Sequence, residues 1–371
     1  SHSARPRGHP DGDRNDLTLW LDGRAEQGLA MAEAAAVSLP AGLRPVDVKV
    51  YKSIYRLSLD LSVQVHKGQT YTFTKYVAAS RADWGGDAKV DLALAKDARA
   101  NGFDSLLEAH RKAWASLWKS DIRIDGDPEM QRVVHSDLYY LLANATPDTA
   151  WAMGACGLTT GYVGHIFWDS DSWIFPALVL LHPQRAKSLV MFRDRTLPAA
   201  RQRAQARGLQ GAMYPWEADP ENGTEQVVHA AWVLGEREIH VNADVAIAQW
   251  QYYLASGDKA WLKEHGWPVI RDVARYWASR VTWNPATQHY DILHVTSVEE
   301  NYNDVPNDTF TNAEAAKALR IATVAAAAVG GKPDPRWAGI AAKIQLPFSE
   351  AGQYHLDMDE SVPHDIGGND L

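Results

Sequence analysis

Residues 164–176 read GHIFWDSDSWIFP, and this stretch crowds four large aromatic side chains around two carboxylates. A buried core has no use for two carboxylates, and a solvated loop has none for four large aromatic residues. We expect Trp173 to begin a buried helix that Asp171 caps at its N-terminus. Trp168 and Asp169 are left without a role in that helix. An indole that covers the C–H face of a sugar, beside a carboxylate that accepts its hydroxyl hydrogens, accounts for both residues.

A second loop repeats the pairing of an indole with a carboxylate. Residues 211–226 read GAMYPWEADPENGTEQ, in which Trp216 and Glu217 are adjacent and follow Pro215. The proline restricts the backbone conformation just before the pair. One such pair is weak evidence on its own, but two pairs in loops of one helical region indicate a ligand with many hydroxyl groups.

A third loop contains two adjacent acids. Residues 294–312 read HVTSVEENYNDVPNDTFTN, in which Glu299 and Glu300 repel one another. In a partly desolvated cleft that repulsion raises one pKa and keeps one acid protonated near neutral pH. The alternative is a solvated acidic loop before a helix capped at Thr311 or Asn312, and the spacing alone favours that alternative.

The N-terminal part of the chain has the pattern of β-strands. Over residues 17–80 apolar and polar residues alternate, most clearly at 55–66, as in a sheet with one face on a core. Residues 66–69 are a predicted hairpin connection into a strand over 70–77. We expect part of an antiparallel sandwich, because one or two hairpins cannot bury a sheet face alone.

The pattern then changes to that of helices. Over residues 103–118 large apolar residues recur at spacings of three and four, which predicts an amphipathic linker helix that starts near Asp104. After Pro128 we expect helices joined by long loops that are rich in aromatic and acidic residues, as in a barrel of helix pairs with a site on one side. The predicted helices are residues 130–145, 183–207, 242–256, 260–279 and 311–328.

Composition excludes several classes of function. The net charge is −9 and no run of Lys or Arg occurs, so we expect neither a nucleic-acid partner nor an anionic membrane. One cysteine, Cys156, excludes an internal disulfide. Because His182, His229 and His240 lack zinc-ligand spacing, we expect no metal and no cofactor. No apolar run is long enough to span a bilayer. The expected partner is a small carbohydrate, and a homodimer is left open. We expect a soluble protein, for which the bacterial cytoplasm and periplasm are both compatible.

Three long runs together resemble glycoside hydrolase family 65. They are YVGHIFWDSDSWIFP, RDRTLPAARQRAQARGLQGAMYPWEAD and EIHVNADVAIAQWQYY, in that order, and the similarity extends from about residue 68 to the end. The family holds acid trehalases, kojibiose- and collagen-type α-glucosidases, and maltose, trehalose and kojibiose phosphorylases. Its fold is an N-terminal β-sandwich, a helical linker, an (α/α)6 barrel and a small C-terminal sheet.

The resemblance implies a mostly α fold with three regions. Residues 1–82 would be part of the β-sandwich, residues 83–127 the helical linker, and residues 128–371 a C-terminally incomplete (α/α)6 barrel. Relative to the family's fold, we expect the early part of the sandwich and the end of the barrel to be absent, and therefore a central fragment of a longer enzyme.

The resemblance also assigns the site. Trp168 and Asp169 match the pair that holds the glucosyl unit to be cleaved, and Trp216 and Glu217 match a second part of that subsite. Two more expected substrate-binding residues, in the glucose-proximal loop that follows, are His240 and Asn242.

Glu300 matches the general acid of the family. The stretch usually reads Pro-Asp-Glu-Tyr-His and is VEENY here, so the Pro and the His are absent and Glu299 is the second choice. The base of the family's hydrolases lies in a late loop like Thr-x-Glu-Gly-x-His-x-Gly, which this chain lacks. Of the Lys-Gln-Ala-Asp-Val segment of relatives only Asp370 fits.

The implied reaction is inversion at an α-glucosidic bond. Glu300 would protonate the leaving oxygen while a nucleophile attacks the opposite face; with water, a second carboxylate about 6.5–9.5 Å away must act as base. The expected activity is hydrolysis of kojibiose, trehalose or a similar α-glucoside. The alternatives are an inverting disaccharide phosphorylase that produces glucose 1-phosphate and a non-catalytic sugar-binding relative.

Overall fold

The protein is described here from a computed structural model. It covers residues 10–24, 30–53, 56–81, 86–157, 161–227, 232–300, 302–350 and 353–358. The chain divides into two units, Ser1–Lys119 and Ser120–Leu371. The unit boundary lies within the predicted linker. Three residues considered above lie outside the described residues: His229, Asp370 and residue 55, the first of the alternating stretch 55–66.

The first unit contains a four-stranded antiparallel sheet and a separate hairpin. The sheet has the order β1 (Asp11–Asp13), β2 (Thr18–Arg24), β3 (Ala30–Ser38), β6 (Thr74–Arg81). The hairpin consists of β4 (Pro45–Lys52) and β5 (Leu57–Val63). The predicted hairpin across residues 66–69 is wrong, because β6 pairs with β3, with Ala36 opposite Tyr76. The strand expected after this connection therefore pairs with a strand more than 35 residues earlier in the chain and not with its predecessor.

Two helices follow the sheet within the first unit. Helix α1 (Ala88–Asn101) is capped by Asp87, whose carboxylate accepts from the N–H of Lys89, and α2 (Phe103–Leu117) starts one residue before the predicted Asp104. Ala95 of α1 packs against Ala34 and Ala36 of β3. Because these side chains are small, the helix approaches the sheet closely.

The second unit is mainly helical. Its α-helices are α3 (Pro128–Asn144), α4 (Phe175–Leu181), α5 (Pro183–Arg195), α6 (Leu197–Ala206), α7 (Trp232–Arg237), α8 (Val241–Ser256), α9 (Lys259–Trp261), α10 (Trp267–Arg280), α11 (Thr309–Ala328) and α12 (Pro335–Ala341). Short strands form two hairpins, β7 (Thr282–Asn284) with β8 (His289–Asp291), and β9 (Phe348–Ser349) with β10 (Tyr354–His355). In the part of the chain that the structure describes, no helix combines the length and apolar character needed to cross a bilayer.

Prolines divide two of the predicted helices. The helix expected over residues 183–207 is split into α5 and α6, and the one expected over 260–279 starts with a π-helical turn before α10. Pro198 and Pro268 each lie in the first turn of the second piece. Proline has no N–H to donate to the preceding turn, so the helix restarts there.

The core of the second unit lies between α8, α10 and α11. Helix α8 buries both apolar and polar residues, and α11 presents a row of alanines that includes Ala315, Ala318, Ala322 and Ala325. Trp277 of α10 is fully buried. The loops before α4, α8 and α11 therefore start from a rigid helical base.

Candidate active site

The loops with the two indole–carboxylate pairs are joined by a short antiparallel bridge. The N–H of Ile166 donates to the carbonyl of Ala218 at 2.9 Å, and the N–H of Ala218 donates back at 2.8 Å. Both side chains are buried in one apolar cluster with Phe192. Trp168 and Glu217 are far apart in sequence, but each lies within two residues of this bridge.

The carboxylate of Glu225 and the ring of His165 hold the Trp216–Glu217 pair in place. Glu225 accepts hydrogen bonds from the backbone N–H groups of Trp216 at 3.1 Å and Glu217 at 3.2 Å. Its charge is balanced by Arg203 at 2.9 Å. The Glu217 carboxylate lies 2.6 Å from Nδ1 of His165. These contacts fix both the backbone and the side chain of the pair.

Asp171 anchors the first loop and does not cap a helix. Its carboxylate pairs with Arg193, from Nη2 at 2.5 Å and Nε at 3.1 Å, and the same Nη2 donates to the carbonyl of Phe167 at 3.2 Å. Both ionic side chains are buried. The expected cap is therefore wrong, because Arg193 occupies the carboxylate. Trp173 is also misassigned, since it is 65% exposed and the buried helix starts at Phe175.

Trp168 is surrounded by aromatic rings from three elements. Its ring centroid lies 4.6 Å from that of His240, 5.3 Å from Trp173 and 6.0 Å from Phe310. The indole is half-buried. Phe310 belongs to the first turn of α11 and His240 directly precedes α8, so two helix starts support the indole.

A cavity of about 190 Å³ touches Trp168 but is separate from the predicted subsite. Residues from 168 to 176, α8 and α11 line it, among them Asp244 and Lys317. Its described lining includes neither Asp169 nor Glu300. The cavity therefore marks a groove between α8 and α11 that Trp168 borders.

His240 is buried between two carboxylates. Nδ1 lies 2.8 Å from Oδ2 of Asp244, and Nε2 lies 3.2 Å from Oε1 of Glu238. Burial acts to lower the pKa of His240, but the hydrogen bonds to the two carboxylates outweigh it and raise the pKa to about 10. Desolvation raises the pKa of Glu238. The two carboxylates therefore favour the protonated form of His240.

The predicted acid lies in a loop that is closed by backbone hydrogen bonds. The N–H of Val295 donates to the carbonyl of Val305 at 3.1 Å, with the reverse bond at 2.9 Å. At the tip, the N–H of Glu300 donates to the carbonyl of Ser297 at 2.9 Å. Glu300 has a φ of 60°. Such a backbone costs about 1–3 kcal/mol at a non-glycine residue and is found most often at functional sites.

The cap of the helix after this loop differs from the prediction. Asp308, and neither Thr311 nor Asn312, caps α11, and its carboxylate accepts from the N–H of Thr311 at 2.8 Å. Asn312 instead donates from Nδ2 to the carbonyl of Gln345 at 2.6 Å. The amide thereby ties the start of α11 to the chain beyond α12.

Glu300 comes within electrostatic range of the other loops. Although the residue is exposed as a whole, desolvation raises the pKa of its carboxyl group; the positive charge of His240 lowers that pKa and the negative charge of Asp169 raises it. Desolvation also raises the pKa of the half-buried Asp169. A carboxyl group with a raised pKa thus lies within electrostatic range of Asp169 and His240, and such a group is suited to protonating a bound polyhydroxylated ligand.

The predicted site residues differ in burial. Trp216 and Glu217 are 8% and 9% exposed, and His240 and Asn242 are fully buried. Asn242 accepts from the N–H of Tyr214 at 2.6 Å and donates to the carbonyl of Ile239 at 2.8 Å. Its amide is therefore used by the backbone, which favours a supporting role over the expected sugar contact. The same holds for His240, whose nitrogens both face carboxylates.

Sequence reasoning missed four residues that hold the site together. Asp244 lies four residues after His240, a helical spacing that was visible in EIHVNAD. Arg193 carries no such signal, because the fold brings it to Asp171 from 22 residues away. Glu238 and Glu225 lie closer in sequence to the residues they contact, but not at a helical spacing.

Comparison with protein families identifies the chain. The model for the central catalytic domain of glycosyl hydrolase family 65 matches residues 135–361, and the model for the N-terminal domain of that family matches residues 3–117. The chain belongs to glycosyl hydrolase family 65. The central match contains all the loops described above, and the N-terminal match ends two residues before the unit boundary at Lys119.

Relatives within family 65 include two glucosidases. A kojibiose hydrolase of Mucilaginibacter mallensis is 45% identical over 294 residues, which are 78% of this chain and 43% of the relative. A protein-glucosylgalactosylhydroxylysine glucosidase of Danio rerio is 32% identical over 346 residues, 89% of this chain and 51% of the relative. The chain thus spans about half the length of these relatives, or less.

A solved family structure has the same fold. It is that of a kojibiose phosphorylase candidate from human microbiome, with a TM-score of 0.76 at 17% identity over 94% of this chain and 48% of the other.

Proposed function

We propose that this chain carries the glucosyl-binding loops and the general acid of an inverting α-glucoside hydrolase. The observations that carry the proposal are the Ile166–Ala218 bridge, which joins the two indole–carboxylate loops, and the packing of Trp168 against His240 at 4.6 Å. The charges of His240 and Asp169 also act on the carboxyl group of Glu300. Three loops from distant parts of the sequence thereby meet at one place. The substrate class is an α-linked disaccharide or glucosyl conjugate such as kojibiose or trehalose.

The proposed chemistry assigns a role to each loop. Trp168 covers one face of the glucosyl ring and Asp169 accepts hydrogen bonds from its hydroxyl groups, with Trp216 and Glu217 completing the subsite. Glu300, whose pKa is raised by desolvation, protonates the leaving oxygen as the C1–O bond breaks. Water attacks C1 from the opposite face, activated by a second carboxylate about 6.5–9.5 Å away. The anomeric configuration is thereby inverted.

We also propose that the helices of the second unit form part of an (α/α)6 barrel. Support comes from the order of helices and long loops after Pro128, and from the fold shared with the family structure. In this arrangement the loops before α4, α8 and α11 lie at one end of the barrel.

Hydrolysis is favoured over phosphorolysis by the relatives. The kojibiose hydrolase of Mucilaginibacter mallensis is 45% identical to this chain, whereas a kojibiose phosphorylase of Halothermothrix orenii is 33% identical over 69% of this chain. Phosphorolysis is the alternative. A phosphate ion can attack C1 without a protein base, and this chain lacks the loop that carries the base in the family's hydrolases.

Proton NMR of the reaction distinguishes these chemistries. We expect the full-length protein to hydrolyse kojibiose at the same rate with and without phosphate, with an initial excess of β-glucose over the anomeric mixture that the reducing-end glucose contributes. Turnover that requires phosphate and yields glucose 1-phosphate would establish the phosphorylase. An initial excess of α-glucose over that mixture would contradict inversion, and absence of turnover on all α-glucosides tested would support a sugar-binding relative.

A further inference from the structure

A histidine behind the indole of Trp168 is held on both sides. His240, Glu238 and Asp244 are 0%, 1% and 4% exposed, and each ring nitrogen of His240 faces one of the carboxylates. We propose that His240 is a positioning residue, protonated while Glu238 and Asp244 are ionised, that holds Trp168 and whose charge acts on Glu300. The proposal rests on the function proposed above for these two residues.

The hydrogen-bond geometry requires an imidazolium when both carboxylates are ionised. An ionised carboxylate only accepts, and a neutral imidazole donates from one nitrogen alone. Only the protonated ring can donate to Asp244 and Glu238 together. His240 also precedes α8, where the helix dipole disfavours a cation, so the two carboxylates are what keep the proton in place. The raised pKa of His240 agrees with this geometry.

The fixed ring forms a wall for Trp168. Two hydrogen bonds prevent His240 from rotating, and its ring lies 4.6 Å from the indole at an interplanar angle of 79°. Phe310 packs at 5.1 Å from His240 and at 6.0 Å from Trp168. Edge-to-face contacts of this kind favour one ring orientation. The histidine therefore limits the positions that the indole can take against a sugar.

The charge of His240 acts in a largely acidic surrounding. Desolvation raises the pKa of Glu300, Asp308 and Glu314, and the charge of His240 acts to lower each of these pKa values. The remaining charged groups that act on these residues are Asp169, Glu238, Asp244, Lys317 and Asp357. Removing the positive charge would raise the pKa of Glu300. Because the acid works only while protonated, activity would then persist to higher pH.

The protonation state can be measured without any activity. In nitrogen-15 NMR of the full-length protein labelled at histidine, we expect the signals of His240, identified by their loss in His240→Asn or their shift in Glu238→Gln, to report two protonated nitrogens at pH 8. In the variant Glu238→Gln/Asp244→Asn, whose amides leave the ring without a charged partner, we expect a neutral ring at pH 8. A neutral His240 in the wild-type protein at pH 8 would overturn the proposal.

The effect on the site is tested with the same double variant. We expect its kcat/KM to fall at least tenfold, mainly through KM. The alkaline limb is measured in His240→Asn, which removes the positive charge and keeps both carboxylates, and we expect that limb to move to higher pH. Asp194→Asn is the matched control, because Asp194 bonds His265 at 2.8 Å in a comparable but partly exposed pair, and we expect it to leave both properties unchanged. If the double variant does not fold, Glu238→Gln alone is used.

Two outcomes separate this proposal from the proposed function. If the double variant matches the wild type in KM and His240→Asn matches it in the alkaline limb, His240 is not a positioning residue, whatever the reaction. If the wild-type protein turns over no α-glucoside, the proposed function fails, and calorimetry with glucose decides instead. At least tenfold weaker glucose binding by the double variant would support the positioning role, and equal binding would overturn it.

Discussion

Trp168 offers an indole whose position is set by His240, Trp173 and Phe310. An indole held in this way can cover a sugar ring with little loss of side-chain entropy on binding. The residue type and its neighbour Asp169 were enough to predict a sugar contact. Two of the three supporting rings, those of His240 and Phe310, were not predictable, because they come from elements more than 70 residues away.

Substitution of Trp168 by leucine tests the sugar contact. We expect KM for the disaccharide to rise about tenfold or more, the effect of losing about 1.4 kcal/mol of binding, while the protein stays folded. Trp283→Leu is the control, because Trp283 is a partly exposed indole on β7 that packs with Tyr290. Steady-state kinetics that show the same KM for Trp168→Leu and the wild type would contradict the assignment.

Asp171 shows how residue-scale reasoning can find an important residue and assign the wrong role. Its place before an apolar run predicted a helix cap, but Arg193 lies within reach only after α5 has packed beside the loop. A buried carboxylate without a paired cation is costly, and Arg193 supplies that cation. The partner 22 residues away could not be read from local spacing.

At the scale of elements, the Arg193–Asp171 pair fixes the loop before α4 to α5. Arg193→Met leaves Asp171 buried without a partner, which costs about 3–5 kcal/mol of unfolding free energy. We expect the double variant Arg193→Met/Asp171→Leu to lose less, because it leaves no unpaired charge. Urea denaturation measures both.

A surface ion pair provides the comparison for this measurement. Arg336 and Asp334 lie 2.7 Å apart, with the arginine side chain 60% exposed, and such pairs contribute little to stability. We expect Arg336→Met to leave the unfolding midpoint almost unchanged. An equal loss in Arg336→Met and Arg193→Met, or a double variant less stable than Arg193→Met, would contradict the anchoring role.

Helix existence was predicted better than helix bounds or strand pairing. The periodicity over residues 242–256 located α8 to within one residue, because an apolar face of period 3.6 is a local property. Pairing of β6 with β3 is non-local, and the alternation of residues 55–66 carries no information on which strand lies beside it. Prolines at 198 and 268 were visible, and their position in the first turn of a new helix explains both errors in bounds.

At the scale of the whole chain, the loops before α4, α7, α8 and α11 bring the candidate residues together. The sequence predicted the loops as carriers of chemistry, since they concentrate indoles and acids between apolar helices. The Ile166–Ala218 bridge and the packing of Trp168 on His240 and Phe310 join distant segments, so they arise from the fold. The Glu238–His240–Asp244 cluster lies within one segment before and at the start of α8.

The central claim is that Glu300 donates the proton to the leaving group. The most direct measurement compares Glu300→Gln with Glu299→Gln in the full-length protein, on kojibiose and on α-glucosyl fluoride, whose leaving group needs no acid. We expect Glu300→Gln to lose about 10²–10⁴-fold in kcat on kojibiose, to retain turnover of the fluoride, and Glu299→Gln to stay close to wild type on both. Full kojibiose turnover by Glu300→Gln, or the loss appearing in Glu299→Gln instead, would contradict the account.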